Sequence, residues 1–286
     1  MKIGIDAGGT KTTAQLFDSE GNIIKTVKTG FGNPLINYRE ALNNIEEAID
    51  NLIDASPSPL KKIAIGSAGA ESGGYVEEIT HYFEKKFQTS VIVMSDLSLS
   101  HIATFNNKDG ILLIAGTGSS CLYRKNGQFY QKGGWGHILG DEGSAYWLGL
   151  QLLKQLMAYF DQSPLLKDAD ILIPELLKLF PSKKEVIELV YRKPKACVAE
   201  IAQLTEDFKQ AEFIQDLNKE CANHLTDLVL SSTETTGEKV LSIALEGSVI
   251  TKNKAIQTHF LKNLTDTGYT VNLITTSSGT NGVLYI

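Results

Sequence analysis

Gly133 to Trp147, written GGWGHILGDEGSAYW, packs five glycines, two tryptophans, a tyrosine, a histidine and two acids into fifteen residues. Glycine at that density opposes a helix, and the apolar residues do not alternate as a strand requires. The stretch reads as a loop whose backbone approaches something closely. Trp135 offers an apolar face and Asp141 a carboxylate that accepts hydrogen bonds. With exposed backbone amides, those are the parts of a sugar site. Local composition alone also describes a Gly-rich surface turn, and Trp135 alone also describes a core residue.

Two glycine turns carry hydroxyl residues: Gly8-Gly9-Thr10, followed by Lys11, and Gly116-Thr117-Gly118-Ser119. Glycine lets backbone N–H groups approach an anion, and Thr or Ser adds a donor. Neither turn is a Walker A loop or a dinucleotide fingerprint, because both lead into a strand. One such turn is most simply a hairpin. Two at equivalent places indicate phosphates clamped between two halves of the chain. Lys11 contacts phosphate or solvent. Asp6, ending a strand beside the first turn, either holds Mg²⁺ through water or caps the turn. Asp96 follows the apolar strand Val91–Met94, at the strand end where open α/β sheets bind ligands. It is a candidate general base for a hydroxyl attacking a γ-phosphoryl group, and equally a helix N-cap. Gly247-Ser248, between a strand and a helix, approaches an adenine or ribose, or makes a plain turn. His137 and Asp141 are four apart, but glycines break any helix between them and no cysteine is near, so a metal site is not expected.

The elements that position these residues alternate. Lys2–Asp6, Thr10–Phe17 and Ile23–Thr29 read as strands, and Leu42, Ile45, Ile49 and Leu52 give Tyr38–Ile53 helical spacing. Ser56-Pro57-Ser58-Pro59 ends that helix. The strand Lys62–Gly66, a helix with Val76, Ile79, Phe83 and Phe87 on one face, and the strand Val91–Met94 follow. Strand, Gly/Thr turn, strand, Asn/Gly turn, strand then recurs from Ile111 to Gln131, which indicates an internal duplication. A helix is expected over Ala145–Phe160, and mostly helical chain from Ile171 to Val229 broken at Pro181 and Pro194. Next come a strand at Val240–Leu245, one helix from Val249 to Leu264 and a strand at Thr270–Ile274. This is an α/β alternation, with domains expected at 1–106 and 107–286.

The 286 residues suffice for two such domains. A formal charge of −6 gives no polyanion-binding surface, so neither nucleic acid nor an anionic membrane is an expected partner. The chain opens on a strand pattern without a signal segment, and there is no 18-residue apolar run. Three scattered cysteines, Cys121, Cys197 and Cys221, fit a reducing compartment, and a cytoplasmic location is expected.

DAGGTKT (Asp6–Thr12), GTGS (Gly116–Ser119) and above all GGWGHILGDEGSAYW resemble the N-acetylglucosamine kinase family of the actin-like ATPase superfamily, also described as the BadF/BadG/BcrA/BcrD ATPase family. The resemblance runs in order from the start to about Val190, then continues loosely through Gly247-Ser248 and Gly279–Leu284. It implies two ribonuclease H-like domains, each with a mixed sheet, an inter-domain cleft, ATP with Mg²⁺, an amino-sugar substrate phosphorylated on its 6-hydroxyl, and a homodimer. It also implies that Thr10 and Thr117 contact phosphate, Asn33 binds sugar hydroxyls, and Asp96 is the catalytic base. Gly134, Trp135, Gly136 and Asp141 match the sugar-binding loop. Ser120 stands where mammalian-type members carry a sugar-contacting asparagine, so N-acetylglucosamine, N-acetylmuramic acid and glucosamine all stay open as acceptors. Two other classes on the same fold are an ATP-driven dehydratase activator, which needs cysteine ligands for an iron–sulfur cluster, and a sugar-sensing domain.

Overall fold

Short apolar strands separated by glycine or asparagine turns pair with their neighbours, and the rest of the chain covers the faces of the resulting sheets. The computed structural model describes residues 1–55, 58–233 and 239–286. They fall into two units: Met1–Gly110 with Arg124–Phe129 and Ile274–Ile286, and Ile111–Tyr123 with Tyr130–Leu273.

In unit 1, β1 (Lys2–Ala7) runs antiparallel to β2 (Thr12–Phe17), which pairs antiparallel with β3 (Ile23–Thr29). The helix α1 (Tyr38–Ile53) buries Leu42, Ile45, Ile49 and Leu52, the face its spacing predicts, and Asn37 caps it by accepting the Glu40 N–H at 3.2 Å. Of the expected terminator, Ser56 and Pro57 lie outside the described residues. β4 (Lys62–Ser67) pairs parallel with β1; α2 (Val76–Phe87) then leads to β5 (Ser90–Met94), parallel to β4, and to α3 (Asp96–Phe105). The sheet order is β3-β2-β1-β4-β5.

Unit 2 repeats the plan. β6 (Gly110–Ala115), β7 (Ser119–Lys125) and β8 (Gln128–Gly133) are followed by α4 (Ala145–Phe160). A helical stretch holds α5 (Ile173–Leu179), α6 (Lys183–Arg192), α7 (Lys195–Glu200), α8 (Leu204–Asp207) and α9 (Glu212–Thr233). It breaks near Pro181 and Pro194 as expected, because the residue before a proline is pushed out of helical conformation. Then come β9 (Val240–Glu246), α10 (Ser248–Lys252), α11 (Lys254–Asp266) and β10 (Thr270–Ile274). The second sheet is ordered β10-β9-β6-β7-β8, with β6 and β9 parallel. Strand for strand this is the order of the first sheet, so the repeated motif in the sequence corresponds to a repeated topology.

Two expectations change. The single helix from Val249 to Leu264 is two, because Asn253 leaves helical conformation (φ −77°, ψ 100°) and accepts the Ile256 N–H at 3.0 Å to start α11. The polar cap competes with the helix and interrupts it. Second, the chain does not simply divide at 106/107, since residues 274–286 return to unit 1. Their 3₁₀ turn, Gly279–Leu284, lies against β1, where a side chain at Gly4 would collide with the Thr280 carbonyl. Lys2 donates to the Val283 carbonyl at 3.0 Å and fixes the same contact.

Candidate active site

In unit 1 the strand ends gather the acids. Asp6 occupies the penultimate position of β1, level with Gly66 on β4. Asp96 opens α3 directly after β5, and Gly66 permits that approach: a Cβ there would meet the Asp96 Cα at 3.1 Å and Leu99 Cβ at 2.8 Å. The expected N-cap role of Asp96 is corrected here. Ser95 is the cap, with an extended backbone and its Oγ accepting the Ser98 N–H at 3.2 Å. A cap needs extended φ/ψ, and Asp96 is already inside the first turn. Its Oδ1 accepts the adjacent Leu97 N–H, at 2.9 Å. Burial raises the Asp96 pKa, the Leu97 N–H opposes this, and the charges of Asp6 and Glu71 add to the rise. Asp6 is raised as well, by burial, with the Lys11 ammonium pulling the other way. Lys11 itself is exposed, and its charge acts on Asp6. Glu71 holds the entry to α3 by accepting the Ser95 N–H at 2.8 Å.

The Gly8–Lys11 turn closes through Gly8 N–H to the Lys11 carbonyl at 2.9 Å, leaving Gly9 and Thr10 exposed. Gly8 in turn accepts the Gly32 N–H at 2.9 Å, which brings the Asn33 loop alongside. Asn33 Oδ1 accepts the Leu35 N–H at 2.9 Å, and its amide NH₂ has no partner among the described residues.

In unit 2 the second glycine turn and the Gly133–Trp147 loop form one hydrogen-bonded body. Ser119 carbonyl accepts the Gly134 N–H at 3.0 Å, and Gly116 carbonyl accepts the Ala145 N–H at 2.8 Å. The Thr117 carbonyl accepts the Tyr146 N–H at 3.3 Å, and Ser119 Oγ donates to the Glu142 carbonyl at 2.6 Å. The loop glycines earn their place by conformation: Gly133, Gly134, Gly136 and Gly143 all have φ between 67° and 83°. This presents Trp135 to solvent at 70 % exposure, which removes the core reading for that residue.

Asp141 lies elsewhere than an open acceptor would. It is 4 % exposed and left-handed (φ 68°), and its carboxylate sits where a Gly118 side chain would be, at 2.6 Å. Oδ1 accepts the Ser119 N–H at 3.2 Å and Oδ2 accepts the Lys195 ammonium at 2.8 Å. Both oxygens are engaged within the protein. Glycine at 118 is what lets the carboxylate so close to the turn.

Gly247 (φ 89°) brings the end of β9 against Ala115, where any side chain would collide with the backbone. Thr117 and Ser248 then share a cavity of about 600 Å³ with Ala199, Gln203, Glu206 and Lys252. Ala199, Gln203 and Glu206 escaped the sequence reading, since nothing from α7 to α8 resembles a motif and the one signal is their place after Pro194; Lys252, the last residue of α10, escaped it too. A second recess of about 350 Å³ is lined by Trp135, Asp141, His224 and Asp227. The rings of His137 and Tyr146 pack at 4.8 Å, a structural use for that histidine.

The chain is similar to several known proteins. The N-acetylmuramic acid/N-acetylglucosamine kinase of Clostridium acetobutylicum is 32 % identical over 225 residues, covering 75 % of this chain and 72 % of that one. The N-acetyl-D-glucosamine kinase of Dictyostelium discoideum is 27 % identical over 254 residues, 80 % of this chain and 78 % of that one. A solved structure from Chromobacterium violaceum, provisionally assigned as an N-acetylglucosamine kinase, superposes with a TM-score of 0.75 at 18 % identity over 99 % of this chain and 98 % of that chain. The BadF/BadG/BcrA/BcrD ATPase family model matches residues 3–278. With duplicated sheets of one topology and a glycine turn at the same place in each, this chain belongs to the BadF/BadG/BcrA/BcrD ATPase family, on the actin-like ATPase fold of the sugar kinases.

Proposed function

We propose that the chain transfers the γ-phosphoryl group of ATP to the 6-hydroxyl of an amino sugar, N-acetylglucosamine or a close relative. The observation that carries this reading is the union of the exposed Trp135 loop with the Gly116–Ser119 turn through shared hydrogen bonds. A carbohydrate platform and an anion cradle belong to one rigid piece. The cavity at Thr117 and Ser248 takes the nucleoside, and the N–H groups of Gly9, Thr10, Thr117 and Gly118, with the Thr10 and Thr117 hydroxyls and Lys11, take the phosphates. Asn33 supplies an amide to a sugar hydroxyl. Gly134, Trp135 and Gly136 present the ring platform, and Asp141 serves by holding the loop and turn in register.

The Asp96 carboxylate takes the proton of the 6-hydroxyl as that oxygen bonds to the γ-phosphorus and the bond to the β-phosphate bridging oxygen breaks, releasing ADP. Oδ1 is steadied by the Leu97 N–H, which leaves Oδ2 for the proton. Asp6 and Asp96 are hard oxygen donors, and the Asp6 charge adds to the rise in the Asp96 pKa, a donor set suited to a divalent cation. Mg²⁺, when bound, would neutralise phosphate charge, and Asp6 would hold it through water.

An iron–sulfur activator fits less well. Cys121 and Cys221 are buried, bonded to Ser232 and to the Gly143 carbonyl, and burial pushes the Cys121 thiol up to about 12. Such thiols are poor cluster ligands. A cytoplasmic homodimer belongs to the same proposal, with sedimentation of the purified protein as its check.

ADP release measured across N-acetylglucosamine, N-acetylmuramic acid, glucosamine, N-acetylmannosamine and glucose tests the reading. Turnover with one of the first three and not with glucose is expected; ATP hydrolysis indifferent to all five overturns it. Trp135→Ala is expected to raise the acceptor KM about ten-fold, with a small effect on the KM for ATP, as loss of one stacked aromatic face requires. Equal changes in both constants argue against the platform.

A further inference from the structure

Asp141 and Lys195 form a pair that the proposed reaction does not yet use. The carboxylate is buried, 2 % exposed, whereas the lysine side chain keeps 35 % of its surface. They are 54 residues apart, and the lysine arrives as the first residue of α7 behind Pro194. Three pieces of the site therefore meet at one carboxylate. The Gly133–Trp147 loop carries it, the Thr117–Ser119 turn donates Ser119 N–H to Oδ1, and α7 donates the ammonium to Oδ2. The same short helix presents Ala196, Ala199 and Glu200 to the 600 Å³ cavity. A buried carboxylate without its cation is strongly disfavoured and turns to other donors, so the two oxygens keep their present partners only while the ammonium is in place.

We infer that Lys195 is a positioning residue that couples the acceptor loop to the nucleotide turn, through Asp141. This rests on the kinase reading above. Movement of α7 against a bound nucleoside passes to the Asp141 carboxylate, and from there to Ser119 N–H and to the loop bearing Trp135. Occupancy of the nucleotide cavity thus pre-organises the acceptor loop, and by linkage acceptor occupancy tightens nucleotide binding by the same factor. Lys195 itself touches neither reacting atom.

The test compares wild type with Lys195→Met, Lys195→Arg, Asp141→Asn and the double variant Lys195→Met/Asp141→Asn. Turnover is measured together with acceptor affinity, read by tryptophan fluorescence with and without a non-hydrolysable ATP analogue. Wild type is expected to bind the acceptor more tightly with the analogue present. Lys195→Met is expected to lose that dependence and to drop kcat about 100-fold, the scale of a roughly 1 Å misplacement of reacting groups. Lys195→Arg keeps a cation at the carboxylate and is expected to restore both properties in large part. The double variant is expected to match Asp141→Asn alone, because the carboxylate through which the lysine acts is gone. Lys195→Met that retains the analogue's effect and turns over within two-fold of wild type overturns the inference. So does a double variant whose losses simply add. Should Lys195→Met fold poorly, Asp141→Asn decides: it is expected to lose the analogue's effect on acceptor affinity, and a lowered thermal midpoint with that effect unchanged is a purely structural bridge and overturns the inference. Absence of acceptor-dependent turnover in wild type is a separate failure, that of the kinase reading.

Discussion

Asp96→Asn is expected to lower turnover by about 10²–10⁴-fold, the usual range for removing a positioned general base, with ATP binding retained. Asparagine keeps the Leu97 N–H contact through its carbonyl oxygen but accepts no proton from an attacking hydroxyl. Single-turnover transfer alongside nucleotide affinity checks this; full transfer in the variant removes Asp96 from the mechanism. The pH behaviour follows from the same residue. Burial and the neighbouring Asp6 and Glu71 raise the Asp96 pKa, and the base must be ionised to act. The acid limb of kcat/KM is therefore expected above the ordinary carboxylate range, with activity falling as pH drops through it.

The stability consequence has the opposite sign. An acid with a raised folded pKa binds more protons in the native state than in the unfolded one, so stability declines as pH rises from the ordinary value to the raised one. Above that window the ionised Asp96 is a standing cost, shared with Asp6, whose pKa burial also raises. Asp96→Asn is thus expected to melt higher than wild type at neutral pH while being inactive. A lower midpoint in that variant contradicts a net cost of the ionised Asp96 carboxylate.

The second large effect is structural and sits under the 600 Å³ cavity at Thr117 and Ser248. Gly149 lies inside α4, where a Cβ would run into the Val198 carbonyl of α7, with the Val198 carbonyl carbon at 3.1 Å. Backbone cannot yield as a side-chain tip does, so Gly149→Ala is expected at the upper end of overpacking costs, about 3 kcal/mol. For a protein of this size that lowers the thermal midpoint by roughly 6–12 °C. Because α7 lines the cavity, the KM for ATP is expected to rise in the same variant more than the KM for the acceptor. Gly9→Ala serves as the stability control, since a Cβ there meets nothing within 4 Å. A midpoint unmoved in Gly149→Ala requires α4 and α7 to separate without penalty and contradicts the packing.

Much of this was legible in the chain itself, and where it was, the cause is local. The alternation in Lys2–Ala7 and the helical spacing of Leu42, Ile45, Ile49 and Leu52 encode which face is buried, because strand and helix periods are properties of consecutive residues. The glycine density of Gly133–Gly143 encodes a loop with left-handed positions. The repeated strand-turn pattern anticipates two sheets of one order. The details that went astray are those in which a neighbour competes for the same role. Asp96 and Ser95 are both good caps, and only the backbone path off β5 selects the serine. Asn253 suits a helix interior poorly, yet its power to split one helix into two rests on a cap geometry that sequence spacing does not express.

Long-range contacts decided the rest. Asp141 has the same residue type and loop position whether it faces a ligand or the protein. Its burial under Gly118 depends on Ser119, 22 residues away, and Lys195, 54 residues away. The cavity at Thr117 and Ser248 draws its wall from α7 and α8, whose residues carry no motif and acquire a role only by where the helices pack. The return of residues 274–286 to β1 turns on Gly4 having no side chain to obstruct Thr280. Residue type and periodicity set what each segment is able to do. Which carboxylate stays open to take a proton and which becomes a buried strut is set by the partners that folding brings to it, and those partners are distant in sequence.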